Sequence, residues 1–120
     1  FLAIDATTIP DETIRSAAKF LVERGLAYFC AWGPDCERVH DLLDQERMRE
    51  EPEGRCVITT WHAKESLSQA LSFFSNCVEP DDGFIANCKD WVALSVSNKA
   101  WLHQVRTDLV KRRSTKKIAL

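Results

Sequence analysis

The sequence has few residues that break regular structure and no long apolar run. Only four glycines and four prolines occur in 120 residues, and 45% of the residues are hydrophobic. This composition is typical of a globular domain and excludes fibrous or largely disordered chains. No apolar stretch approaches the roughly 20 residues that a helix needs to cross a bilayer. We therefore expect a soluble protein without a membrane partner.

A strong charge of one sign is also missing. The formal net charge is −2, whereas proteins that bind nucleic acids usually present a basic face to the phosphates. We therefore expect no nucleic-acid partner. The exception is local, because five of the seven residues 111–117 are Lys or Arg. We predict one α/β domain over residues 1–110 and a basic C-terminal tail over residues 111–120.

The cysteine count argues against a secreted, disulfide-stabilised protein. The five cysteines lie at positions 30, 36, 56, 77 and 88, and disulfide frameworks belong to smaller secreted chains with even counts. The first residues also lack the charged segment that opens a signal peptide. We predict reduced thiols and a cytoplasmic location.

Three apolar runs predict the strands of the fold. They cover residues 26–32, 56–61 and 91–96, and each is followed by a segment with a helical apolar stripe. Their starts are 30 to 35 residues apart, which matches βαβ units and predicts mutually parallel strands. Residues 2–4 are a weaker candidate for a fourth strand. The predicted fold class is α/β: a three-layer sandwich with a small, mainly parallel sheet of three to four strands and flanking helices.

Turn-forming and polar residues separate these units. A further apolar stripe between Pro10 and Gly25 predicts a helix ahead of the first long strand. The polar residues 46–54 predict a loop, and residues 80–83 (PDDG) predict a turn.

The carboxyl edge of the predicted sheet is where we expect function. Ligands of open parallel sheets bind beyond the carboxyl ends of the strands, where loops and helix N-termini meet. Asp5, residues 32–36, residues 59–62 and residues 95–98 follow the four predicted strands. Within this set, we predict ligand contacts from four residues, which are Trp32, Cys36, Trp61 and His62. The two indoles end neighbouring strands and are expected to line one pocket.

Cys36 is the strongest candidate for a reactive residue. It falls in the first turn of a predicted helix, where the helix dipole and free N–H groups favour a thiolate and lower its pKa. His62 would then serve as its base. The alternative is that Cys36 packs as a small apolar residue in the core. Cys36 and His62 are therefore candidates, and no catalytic residue is assigned.

Signatures of cofactor and metal sites are missing. Gly33 stands alone after its strand, without the glycine-rich pattern that binds phosphates. Cys36 and His40 are four residues apart and share a helical face, but no second close pair of ligands completes a zinc site. We predict no cofactor and no metal.

Three strings of the sequence carry a resemblance. Residues 30–41 (CAWGPDCERVHD), 59–62 (TTWH) and 80–83 (PDDG) together resemble an uncharacterised family of short bacterial proteins of unknown function. The resemblance spans about residues 26–103. It implies a bacterial cytosolic protein, and it supplies no activity and no catalytic residues.

Two functional hypotheses follow. The first is a non-catalytic binding or protein-interaction module with a protein partner or a small ligand, favoured by small size, mild acidity and missing catalytic motifs. The second is a small thiol-dependent hydrolase or transferase, with Cys36 as nucleophile and His62 as base. The sequence leaves the oligomeric state open.

Overall fold

The computed structural model describes residues 1–50, 55–111 and 118–119. In the order of the chain, the elements are β1 (Leu2–Ala3), α1 (Asp11–Glu23), β2 (Tyr28–Trp32), α2 (Cys36–Glu50), β3 (Ile58–His62), α3 (Leu67–Asn76), α4 (Asp82–Ile85), β4 (Trp91–Val92), β5 (Leu94–Ser95), α5 (Lys99–Lys111) and β6 (Ile118–Ala119).

The main sheet has the order β3-β2-β1-β5, and all of its neighbouring strands are parallel. This confirms the predicted α/β class and the parallel arrangement of the three long apolar runs. The weakest strand prediction, residues 2–4, corresponds to a central strand. The pairing of this strand, β1, with β5 continues at both ends, through hydrogen bonds from Leu94 N–H to Phe1 O (2.9 Å) and from Val96 N–H to Ala3 O (3.0 Å).

Helices cover both faces of the sheet and produce the three layers. Helices α1 and α2 bury their apolar stripes on one face, and α3 and α5 bury theirs on the other. The first core contains Ile4, Ala6, Ile14, Ala18, Phe29, Ala31, Cys36, Val39, Leu42 and Leu43. The second contains Phe1, Ala3, Cys30, Leu67, Ala70, Leu71, Phe74, Val78, Ala93, Val105 and Leu109.

Local sequence signals fix several helix ends. Helix α1 follows Pro10 and carries Asp11 and Glu12 in its first turn, where negative charge suits the helix dipole. Helix α3 begins with a capping box, in which Ser66 and Gln69 each accept the other's backbone N–H.

Three predicted boundaries need correction. The predicted strand 91–96 is divided at buried Ala93 into β4 and β5. Residues 46–50 are helical rather than loop, because Glu46 is only 6% exposed and accepts a hydrogen bond from Arg15 on α1 (3.1 Å). Residues 51–54 of the predicted loop lie outside the described residues.

The third correction concerns the turn at 80–83. The turn opens the short helix α4, where the carboxylate of Asp81 accepts the N–H of Gly83 (2.9 Å). In the predicted tail, Lys111 ends α5, and β6 pairs in parallel with β4. Residues 112–117 and 120 of that tail lie outside the described residues.

The order of the strands creates a reversal beside β1. From β1 the chain moves outward through β2 to β3, and it then crosses back to place β5 on the other side of β1. Such a reversal is where ligands of open α/β sheets bind, at the carboxyl ends of the strands. Within the described part of the chain, no helix combines the length and apolarity needed to span a membrane.

Candidate binding site at the carboxyl edge of the sheet

The turn after β2 packs tightly against the end of β1. Gly33 has φ +115°, and a Cβ atom on it would lie 2.2 Å from the carbonyl oxygen of Ile4. Only glycine fits this approach and this conformation. The N–H of Cys36 donates to the carbonyl of Gly33 (3.1 Å) and so starts α2 directly beneath the turn.

Arg38 links the loop between β1 and α1 to this turn through hydrogen bonds. Its guanidinium donates to the carboxylates of Asp35 (2.7 Å) and Asp11 (2.6 Å), and to the carbonyls of Ala6 and Ile9. One side chain thus holds the loop from β1 to α1 against the start of α2.

Two residues with strained backbone conformations also lie at this edge. Asp35 (φ 62°) and Ser97 (φ 55°) are the non-glycine residues with positive φ in the described ranges, and they follow β2 and β5. Conformations of this kind cost free energy and concentrate at functional sites. Asp5 is exposed at the end of β1 between these two loops, and its carboxylate accepts the N–H and the hydroxyl of Thr7.

Cys36 is a core residue in this structure. It is 1% exposed and belongs to the apolar cluster beneath α1 and α2. Burial raises the pKa of its thiol, and the backbone N–H of His62 offsets only part of that effect. The predicted lowering of this pKa is therefore wrong, because desolvation of the thiolate outweighs the favourable position at the helix N-terminus.

His62 lies on the opposite face of the sheet from the Cys36 side chain. It is 5% exposed, and its ring lies 4.7 Å from the ring of Phe73 on α3. Its two nitrogens lie 3.2 Å from Thr60 Oγ1 and 3.4 Å from Glu65 Oε1. The structure therefore does not bring the thiol and the imidazole together as a nucleophile and its base.

Trp32 lies on the same face of the sheet as His62, and Trp61 lies on the opposite face. Trp32 and His62 are register partners across β2 and β3. The Trp32 indole N–H donates to the carbonyl of Glu65 (2.9 Å), and its ring meets Trp101 edge-on at 5.0 Å. Trp32 faces α3 and α5, whereas Trp61 faces α2, so the two indoles do not line one pocket.

Trp61 is the exposed member of the predicted set. It is 43% exposed at the end of the edge strand β3, and its ring centroid lies 4.4 Å from that of His40 on α2. Exposed Trp61 therefore rests on a partly buried imidazole.

A chain of polar contacts continues from His40. Its Nδ1 lies 2.8 Å from Asp41 Oδ1, and its Nε2 lies 2.9 Å from Thr59 Oγ1. The Thr59 hydroxyl also lies 3.0 Å from Asp44 Oδ1, which accepts a hydrogen bond from Arg47. We name His40, Asp41, Asp44, Thr59 and Trp61 the His40 cluster.

The sequence analysis did not identify this cluster, although the spacings of two pairs of its residues indicate it. His40 and Asp44 are one helical turn apart, and Thr59 and Trp61 are two residues apart on a strand, so each pair shares a face. Only the tertiary structure shows that α2 packs against β3 and brings the two pairs together.

Possible metal ligands and a cavity are the other features of the described part of the chain that bear on a site. No group of three or more His, Cys, Asp or Glu side chains is placed there to hold a metal ion, and Cys36, His40 and His62 do not converge. A cavity of about 380 Å³ lies at the amino-terminal edge of the sheet, between Phe1, Tyr28 and the loop before β4.

The strand order and the two helical layers define a small doubly wound α/β domain with a fixed carboxyl edge. The chain belongs to the family described as domain of unknown function (DUF7684), which matches residues 1–112. This membership confirms the resemblance to an uncharacterised family. No curated protein and no solved structure matches the chain.

Proposed function

We propose that this protein is a non-catalytic binding module of the bacterial cytoplasm, and that its contact surface is the His40 cluster, where α2 packs against the edge strand β3. The observation that carries the proposal is the exposed indole of Trp61, held against His40 at the end of an edge strand. Tryptophan is one of the residue types that most often dominate the binding energy of an interface once a partner covers them.

The surroundings of Trp61 favour a particular kind of partner. The indole offers an apolar face, and the exposed carboxylate of Asp41 lies 2.8 Å from Nδ1 of the His40 ring against which the indole packs. A protein segment or small ligand with an apolar group next to a cationic donor complements this pair. The net charge of −2 disfavours a nucleic-acid partner.

The other three predicted contact residues pack elsewhere in the fold. Cys36 is buried under α2, and Trp32 and His62 pack against the opposite layer. The same burial argues against the thiol-dependent enzyme, because a raised pKa leaves Cys36 protonated at neutral pH and His62 is engaged by other groups.

The bacterial and cytoplasmic parts of the proposal have a different basis. They follow from the resemblance of the three sequence strings and from the free thiols of the five cysteines.

Nuclear magnetic resonance of the ¹⁵N-labelled protein tests the proposal. Two probe sets are used: small aromatic amines, and extended peptides that carry one aromatic residue and one Lys. We expect shifts at the Trp61 indole N–H and at the backbone of residues 40, 41 and 59–61. Shifts confined to the amino-terminal cavity, or no shifts at the carboxyl edge with either set, would overturn the proposal.

A further inference from the structure

The cavity at the amino-terminal edge of the sheet is separate from the His40 cluster. Its volume is about 380 Å³, and sites for small molecules cover roughly 300–1,000 Å³. The cavity lies between the turn that joins α1 to β2 and the loop that leads from α4 to β4. It is therefore at the opposite end of the strands from Trp61.

Aromatic rings form one wall of this cavity. The ring of Phe74 on α3 lies 5.6 Å from that of Phe1 and 5.3 Å from that of Trp91, and all three residues line the cavity. Leu21 and Leu26 add aliphatic surface near the turn after α1. Water gains little from such walls, so the cavity favours an apolar ring over the solvent that the ring displaces.

Hydrogen bonds hold the chain on both sides of the cavity. On one side, the N–H of Leu26 donates to the carbonyl of Leu21 (3.1 Å). On the other side, the N–H groups of Asn87 and Cys88 donate to the carbonyl of buried Phe84 (3.0 and 2.8 Å). Because these segments are already held in place, a ligand does not have to order them when it binds.

Two exposed cationic side chains line the same cavity. They are Arg24, which follows α1, and Lys89, which lies in the loop before β4. The ion pair at the end of α1 joins Lys19 to Glu23 instead (3.9 Å). Within the described ranges, neither Arg24 nor Lys89 has a carboxylate partner. Both cations are therefore available to an anionic ligand.

One carboxylate, that of Asp90, also lines the cavity. Burial, and then the charge of Asp90, raise the pKa of the Cys88 thiol beside it, so this thiol adds no negative charge at neutral pH. Among the side chains that line the cavity, two are thus positive and one is negative. This balance favours an anion over a cation.

We propose that this cavity is a second binding site of the protein, and that it takes small aromatic carboxylates. The ring of the ligand packs against Phe74 and Trp91, and its carboxylate accepts hydrogen bonds from Arg24 and Lys89. The site is independent of the proposed function, because the His40 cluster complements a cationic group and this cavity complements an anionic one.

Titration of the ¹⁵N-labelled protein with 2-naphthoate, followed by nuclear magnetic resonance, tests the site. We expect shifts at the Trp91 indole N–H and at the backbone of residues 24–28 and 87–92. The neutral analogue 2-naphthylmethanol has the same two rings without the carboxylate, and we expect it to bind more weakly. Shifts confined to the Trp61 indole, or equal affinity for the two probes, would overturn the proposal.

A double variant, Arg24→Gln with Lys89→Gln, tests the role of the two cations. Both side chains are exposed, so we expect the fold to be unchanged. The double variant should bind 2-naphthoate about fivefold more weakly, because two exposed ion pairs of modest strength are lost, and it should bind 2-naphthylmethanol as before. Lys99→Gln removes an exposed lysine at the start of α5 and should leave both affinities unchanged. Full affinity of the double variant for 2-naphthoate would contradict the proposal.

Alkylation with iodoacetamide measures occupancy of the cavity in the parent chain. Cys88 is half-buried and lines the cavity, whereas Cys77 is exposed and lies outside it. We expect 2-naphthoate to slow the alkylation of Cys88 and to leave that of Cys77 unchanged, as followed by mass spectrometry. Equal rates at Cys88 with and without saturating 2-naphthoate would overturn the site. The Trp61 surface is tested with cationic probes, so the proposed function stands or fails separately.

Discussion

The backbone N–H of His62, rather than its imidazole, faces the sulfur of Cys36. Successive strand residues point to opposite faces of a sheet. The His62 ring therefore lies with Phe73 on the α3 side, while the thiol is buried beneath α2. The two residues are neighbours along the carboxyl edge, and the sheet separates their reactive groups.

Replacing Cys36 with Ser tests whether this thiol is a core residue. We expect Cys36→Ser to lower the free energy of unfolding by about 1–3 kcal/mol, because the variant places a polar hydroxyl in the apolar cluster beneath α1 and α2. Denaturation in urea measures the change. Cys77→Ser is the matched control at an exposed position, and it should stay within about 0.5 kcal/mol. Rapid alkylation of Cys36 in the folded protein would contradict this account.

Truncation of His62 tests its packing role. His62→Ala removes a ring that is 5% exposed and contacts Phe73, so we expect a loss of about 2 kcal/mol or more in the free energy of unfolding. His103→Ala removes an exposed ring of the same size and should be nearly neutral. Near-equal stability of the two variants would show that His62 is not a packing residue.

Gly25 and Gly33, the two glycines with positive φ in the described part of the chain, allow a paired test of the turn after β2. Gly25→Ala places a Cβ in open space at φ +85°, so its cost should be only the conformational one, about 1–2 kcal/mol. Gly33→Ala adds a contact of 2.2 Å with the Ile4 carbonyl oxygen, and backbone must move to relieve it. We expect Gly33→Ala to be clearly the more destabilising in thermal unfolding. Equal losses would mean that the turn does not depend on this close approach.

Stability should fall at alkaline pH because of the buried thiols. Burial raises the pKa of Cys30 and of Cys36, so the folded state keeps both protonated at a pH where the unfolded chain ionises. The unfolded state then binds fewer protons, and the free energy of unfolding decreases as pH rises above about 8.5, the ordinary thiol pKa. The free energy of unfolding stops decreasing only above the pKa values that the two thiols have in the folded state.

Urea denaturation at pH 7.5 and pH 10 under reducing conditions measures this effect. Cys36→Ala should show a smaller decrease than the parent chain, whereas Cys77→Ala should keep the full decrease. A decrease of the same size in both variants would assign the effect to other groups.

Much of the fold was predictable because its elements carry local patterns. The apolar runs marked the strands, and the stripe that contains Ile14 and Ala18 marked α1. The extension of α2 was not predictable, since Glu46 is held by Arg15, which lies 31 residues earlier in the chain. Tertiary contacts of this kind override a polar local sequence.

The candidate site was predictable as an edge but not as a cluster. Parallel strands bring their carboxyl ends together, so Trp32, Trp61 and His62 were correctly placed at one edge. The faces that they occupy follow from the pairing of β2 with β3 and from the helix that covers each face. His40 has no motif of its own, and only the packing of α2 on β3 gives it Thr59 and Trp61 as partners.

The most direct measurement is the affinity of the strongest probe from the aromatic amine and peptide sets for the parent chain and for two aromatic variants. Trp61→Ala removes the exposed indole at the carboxyl edge, and Phe20→Ala removes an exposed ring on α1 that stacks on Arg24. We predict that Trp61→Ala weakens binding at least about tenfold, or about 1.4 kcal/mol, because supported tryptophans dominate contact surfaces. Phe20→Ala should leave the affinity unchanged. Binding that survives Trp61→Ala at full strength, with the fold intact by circular dichroism, would contradict the account.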